Sequence, residues 1–144
     1  MFRLSLSLVF VLLLGLAAAC GAPAGTTSPT TGAPPVTLIK LSSDVQLIFN
    51  ASCVVCHQGV SAAGGMNLEA GQAYGSTVSK NSSQSSLLRV KPNDPDNSYL
   101  VRKLEGTQVQ AGGSGARMPL NANPLPASQI EIIRRWISQG APNN

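Results

Sequence analysis

The sequence predicts a small all-α domain of three to four helices joined by long loops. Three observations predict it. Apolar residues recur at helical spacing in two separate stretches, Val45-Ile48-Phe49 and Ile130-Ile133-Trp136-Ile137. The second stretch carries helix punctuation: Ser128-Gln129-Ile130-Glu131 reads as a capping box, and Gly140 as a stop. Between them, Glu105 to Ala127 has no regular pattern, and so long a loop inside a compact domain needs a reason. Of the 144 residues the first 36 look non-globular, which makes 37–144 the domain. A domain that small has a limited core, and aromatic residues are only 4% of the chain. There are no internal repeats.

In chain order, Asp44 reads as the cap of a first helix with Val45, Ile48 and Phe49 on one face. That helix runs into Cys53, with Phe49 one turn before it, and Gly59 and Gly64-Gly65 break it. Asn67 reads as the cap of a second helix with Ala70, Ala73, Tyr74 and Val78 inward, weakened by Gly71 and Gly75. The polar residues 79–86 read as a surface loop, and Leu87-Leu88-Arg89-Val90 as a short extended piece before Pro92. Asp94-Pro95-Asp96 marks a turn and a helix start. Tyr99, Leu100, Val101 and Leu104 then suggest a short helix through Lys103, and the capped 128–140 helix closes the domain.

The chemistry centres on Cys53-Val54-Val55-Cys56-His57, the pattern that attaches a c-type haem. Two thiols three positions apart can each add to a vinyl group on one edge of a porphyrin. The next histidine is then carried under the ring to ligate iron. Two other readings compete: a thiol–disulfide redox pair, and half of a zinc site, for which no second pair supplies the remaining ligands. His57 is the chain's only histidine, so no second histidine ligand can come from this chain. A buried haem would also supply apolar surface that so small a core lacks.

Around this motif the chain resembles the single-haem cytochrome c domains of exported bacterial proteins. The stretches that carry the resemblance are Ile48-Phe49-Asn50-Ala51-Ser52-Cys53-Val54-Val55-Cys56-His57, Arg117-Met118-Pro119 and Trp136-Ile137-Ser138-Gln139-Gly140-Ala141. Pro95 to Leu100 and Lys103-Leu104 support it, and the match spans Val45 to Ala141. The resemblance implies a small cytochrome c fold built around one covalently attached haem c. It also implies first and last helices that cross at near right angles, with Phe49 and Trp136 as candidates for that contact.

One histidine leaves a sixth iron position. Methionine is the usual partner and raises the reduction potential relative to two histidines. The chain has Met1, Met66 and Met118. Met1 leaves with the leader described below, and Met66, nine positions after His57, would need a tight return to reach the opposite face. Met118 lies in the irregular loop, with Pro119 restricting it to extended geometry. The family resemblance also points to Met118; the plain alternative is a loop methionine packed on apolar surface. A lysine amine would first have to lose its proton. Many small cytochromes c use a proline carbonyl soon after the motif to accept the histidine's other N–H. No proline lies between His57 and Pro92 here, so another carbonyl, near Gly64-Asn67, must serve.

Residues 1–19 read as a secretory signal, with Arg3, an apolar run from Leu4 to Leu16, and Ala17-Ala18-Ala19 before the cut. The run is short for a transmembrane helix. Cys20-Gly21 resembles a bacterial lipoprotein junction, which implies that Cys20 is lipidated, with Ala17 standing where leucine is usual. Residues 20–36 are then the anchor cysteine and a disordered linker of Gly, Ala, Pro, Thr and Ser without charge. The three cysteines are thereby all assigned, with no free thiol and no structural disulfide.

Net charge is +4, or +3 once Arg3 is removed, and there is no dense basic cluster. Nucleic acid is therefore excluded as a partner. The leading functional expectation is an electron-transfer protein, not an enzyme, with His57 and Met118 as axial ligands. It would be held at the outer face of a bacterial membrane, in the periplasm or at the cell surface, and would serve redox partner proteins. The resemblance implies that electrons pass at the haem edge near Cys53 and Cys56. The alternative is a gas-binding sensor or small peroxidase with an open sixth position, Arg117 being its distal polar group. A third reading is a domain detached from a larger redox enzyme; the ending soon after Gly140 suggests instead a stand-alone subunit, for which a partner enzyme in another chain stays open.

Overall fold

The structure is a computed structural model that describes residues 36–144. The signal over 1–19, Cys20 and the linker up to residue 35 lie outside the described residues. The described chain is a small helical domain with long loops. A wide π-helical turn, Leu41–Val45, leads directly into α1, Gln46–Ser52. A short 3-10 turn at Ala63–Gly65 is followed by α2, Ala73–Thr77, α3, Tyr99–Glu105, and α4, Ala127–Ser138. There is no β-sheet among the described residues; single bridges join Val78 to Val90, Asn81 to Leu88, and Leu88 to Ser98. All three are what becomes of the extended piece at Leu87–Val90. No helix among the described residues is long and apolar enough to cross a membrane.

The first helical segment starts earlier than Asp44 suggests, because its N-terminus is capped from far away. The N–H of Leu41 donates to Asn144 Oδ1 at 2.8 Å, and that of Ser42 to the Asn144 carbonyl at 2.9 Å. Asp44 is therefore inside the first turn. Its carboxylate reaches back to the Lys40 N–H at 2.7 Å and satisfies one of the amides that helix starts leave free.

α2 is shorter than its pattern suggests. Gly71 takes φ +79°, so the chain turns before the helix can begin. Asn67 closes a local turn onto the Glu69 N–H at 2.9 Å instead of capping a helix. Ala73 and Val78 are buried, but Ala70 and Tyr74 face solvent.

α3 fits its pattern, with Tyr99, Leu100, Val101 and Leu104 all buried, and ends at Gly106 with φ +76°. α4 starts one residue before Ser128, which makes no cap; Gln129 and Ile130 donate to the Pro126 carbonyl at 2.9 and 3.2 Å. Leu125, buried, and Ile130, half-buried, occupy the two positions of a hydrophobic staple, which sets the entry instead. Gly140 ends α4 with φ +94°.

Phe49, Ile133, Trp136 and Ile137 are fully buried in one apolar cluster with Val45, Val90 and Val101. α4 packs against both the Leu41–Val45 turn and α3. The indole N–H of Trp136 is satisfied by the Pro142 carbonyl at 2.9 Å, so its burial leaves no polar atom unpaired. This cluster fixes the end of α1, where Cys53 follows, against α3, which carries the other wall of the site.

Candidate functional site

The Cys53–His57 motif continues the turn of α1. The N–H of Cys53 donates to the Phe49 carbonyl at 2.8 Å, and that of His57 to the Cys53 carbonyl at 3.0 Å. Coiling of this kind lets residues three and four apart share a face. Cys53 is half-buried, Cys56 is exposed, and both are free thiols. Burial pushes the Cys53 thiol up to about 11. A dithiol redox pair needs the opposite, a thiol acidified by nearby positive charge or a helix N-terminus. No group of three or more His, Cys, Asp or Glu side chains among the described residues is placed to hold a metal ion, so the zinc reading gains no ligands.

His57 is half-buried. Its Nδ1 lies 3.2 Å from the Met66 carbonyl. A carbonyl can only accept, so Nδ1 is the donor, and in a neutral ring the lone pair then sits on Nε2. That is the tautomer an iron-ligating histidine with an outer carbonyl partner requires. The missing proline is thus replaced by a carbonyl inside the Gly64–Asn67 stretch. The Leu68 N–H donates to the His57 carbonyl at 2.8 Å and draws the returning chain against the motif.

A cleft of about 450 Å³ opens beside the motif, within the range of small-molecule sites. Cys53, Cys56 and His57 line it from one element, and Met118, Pro119 and Leu120 from the irregular loop. Leu68, Leu100 and Leu104 give it apolar walls. Met66 also lines it, but its main chain is held beside the His57 ring.

The irregular loop is pinned to α3. The Met118 N–H donates to the Lys103 carbonyl at 2.9 Å. The Tyr99 hydroxyl donates to the Ser114 carbonyl at 2.8 Å and accepts from the Ser114 N–H at 3.2 Å. Gln108 Nε2 donates to the Gly115 carbonyl at 2.9 Å. Such ties give residues 106–118 a fixed path without regular structure. The Met118–Pro119 peptide is cis.

Arg117, the candidate distal polar group, is not among the residues that line the cleft. Its side chain packs over Gly106, its Nη2 donates to the Ala122 carbonyl at 3.4 Å, and its buried Nε has no partner.

Tyr99, Lys103 and Arg89 also line the cleft, none of them singled out as a site residue by the sequence. Lys103 is 6% exposed, with Nζ 3.2 Å from the Ser114 carbonyl and 5.8 Å above the Tyr99 ring. Burial lowers its pKa. Helical periodicity at 99–104 marks apolar residues and passes over a lysine whose stem is buried among them.

The residues present fit a c-type haem: two free thiols and a correctly protonated imidazole at one margin of an apolar cleft, and a thioether on its loop wall. No family model, curated protein or solved structure matches the chain, and the reading of the site rests on these residues and their geometry.

Proposed function

We propose that the domain is a cytochrome c-like electron carrier with one covalently attached haem. The observation that carries the reading is convergence: Met118, 61 positions after His57, lines the same cleft as Cys53, Cys56 and His57. In this reading the Cys53 and Cys56 thiols would hold the haem as thioethers, and His57 Nε2 and Met118 Sδ would be its iron ligands. The Met66 carbonyl keeps the His57 proton on Nδ1. A haem so held supplies an iron couple that takes and gives one electron. With both His57 and Met118 on the iron, substrate would have no place on the metal, which favours a carrier over an enzyme. The sensor or peroxidase alternative needs an open position and a distal polar group, and Arg117 lies away from the cleft lining.

The proposal includes export by the 1–19 signal and anchoring through lipidated Cys20, so that the carrier works at the outer face of a bacterial membrane with protein redox partners. Stable anchoring takes more than one acyl chain. Intact mass spectrometry of the mature protein after acid–acetone extraction tests the reading. The expected species begins at an acylated Cys20 and retains the mass and colour of one haem. Cys53→Ser with Cys56→Ser should lose all covalent haem. Wild type that loses its colour on extraction would overturn the attachment.

A further inference from the structure

We infer that Arg89 is a positioning residue for His57, acting through the Gly64–Met66 segment. The inference rests on His57 being an iron ligand. The His57 imidazole has one protein partner, the Met66 carbonyl, and that carbonyl belongs to a segment with little stiffness of its own. Gly64 and Gly65 both have positive φ, 62° and 63°, and no residue of Ala63–Gly65 is buried. Glycine has the largest conformational freedom to lose, and two in succession make a soft support.

Arg89 closes this gap. Its Nη2 donates to the Gly64 carbonyl at 2.8 Å, and its Nη1 to the Gly65 carbonyl at 3.0 Å and to the Ser76 carbonyl at 2.7 Å. One rigid guanidinium thus ties the two glycines preceding Met66 to the end of α2. The arginine is itself held in place: its N–H donates to the Lys80 carbonyl at 2.7 Å, and its carbonyl accepts from the Leu100 N–H at 2.9 Å. No acidic residue pairs with it among the described residues. All three side-chain bonds go to main-chain carbonyls, the pattern of a clamp on chain position and not of charge pairing. The path runs from α3 through Arg89 to Gly64-Gly65, to the Met66 carbonyl and to His57 Nδ1. Outer partners of a ligating histidine set its ring orientation and basicity, and losing them commonly weakens a metal site ten- to a hundredfold, roughly.

The test uses the haem-loaded full chain in its reduced state, with solvent exchange of the His57 Nδ1 proton followed by NMR. Wild type is compared with Arg89→Gln, Arg89→Lys and Arg102→Gln. The last removes a guanidinium that serves the Asp96 carbonyl instead. Exchange should be at least about tenfold faster in Arg89→Gln. Arg89→Lys should be intermediate, because an ammonium cannot span all three carbonyls, and Arg102→Gln should match wild type. The Met118 amide, held by Lys103, should keep its own rate throughout. Gly64 and Gly65 are exposed residues, so water can take the place of the guanidinium there and the variants should fold; if Arg89→Gln does not, Arg89→Lys carries the comparison. Equal His57 rates in all chains overturn the inference, as does parallel acceleration of the Met118 amide, which would mark general destabilisation. Wild type without covalent haem overturns this inference and the proposed function together, and its missing colour tells that failure from the others.

Discussion

His57 and Met118 arrive at one cleft by different routes. His57 comes on five consecutive residues that extend α1, with hydrogen bonds reaching back to Phe49 and Cys53. Met118 comes at the end of an irregular stretch tied to α3 at two points: Lys103 holds its N–H, and Tyr99 holds Ser114. The first wall is built by local coiling and the second by tertiary contact. A local wall tolerates changes elsewhere, whereas a wall of loop ties depends on α3 remaining in place.

The largest effect that separates the walls is expected at Met118. Met118→Ala should open the sixth iron position, lower the reduction potential and let carbon monoxide bind the ferrous haem, which wild type should bind poorly. Met66→Ala should change carbon monoxide binding little, although Met66 lines the same cleft. The reason is that Met66 serves His57 through its main-chain carbonyl, which alanine retains. Carbon monoxide titration by absorption spectroscopy distinguishes the two. Wild type that binds as readily as Met118→Ala would replace the carrier with the open-site sensor or peroxidase.

The same contrast governs what the sequence made legible. The motif, the apolar stripes at 45–49 and 130–137, and Gly140 are local signals, and the elements they mark are present. Their boundaries moved where distant residues intervened. Asn144 caps the first helical turn in place of Asp44, and Leu125 with Pro126 starts α4 ahead of Ser128. Helical spacing across 70–78 yielded only the short Ala73–Thr77 helix, because Gly71 at positive φ outweighs a weak apolar pattern. Arg89 and Lys103 were not legible as cleft residues. Their burial comes from partners 11 to 25 positions away, which no local pattern records. The need for a carbonyl near Gly64-Asn67 was legible from the absence of proline, since a ligating histidine must place its second proton somewhere.

A smaller effect sharpens the comparison from the loop side. Gly113 lies where a Cβ would meet the Tyr99 hydroxyl at 2.6 Å, the Gln108 carbonyl at 2.9 Å and the edge of the Tyr99 ring. Gly113→Ala should therefore push the loop off α3 and destabilise the fold by about 1–3 kcal/mol, the usual range for overpacking. Thermal melts give the stability loss. In the haem-loaded protein, carbon monoxide should bind more readily than in wild type, while the covalent haem and the His57 Nδ1 proton stay as they are. If the variant disturbs His57 as much as Met118, the two walls are not independent.

The smallest effect concerns the turn that starts α3, which holds the loop wall directly and the His57 side only through Arg89. Asp94 accepts from Lys91 Nζ at 2.8 Å and from Asn97 Nδ2 at 2.8 Å, and the Asn97 N–H donates to it at 3.1 Å. These bonds, the lysine's first, hold its carboxyl at about 2, below the ordinary 3.8. A carboxyl more acidic folded than unfolded adds stability above the unfolded value and loses it as pH falls toward the folded one. The contribution should therefore be whole above about pH 4, fade between 3.8 and about 2, and be absent below that. The group is partly exposed, so the effect should be slight and screened by salt. Melting temperature against pH is the measurement. Asp94→Asn should flatten the fall between pH 4 and 2, roughly the titration window, and the difference should shrink at high salt. The His57 side, which Asp94 does not touch, should show no matching change in Nδ1 proton exchange across the lower half of that window. An unaltered fall in Asp94→Asn would place the acid sensitivity in another carboxylate and leave the start of α3 without an electrostatic lock.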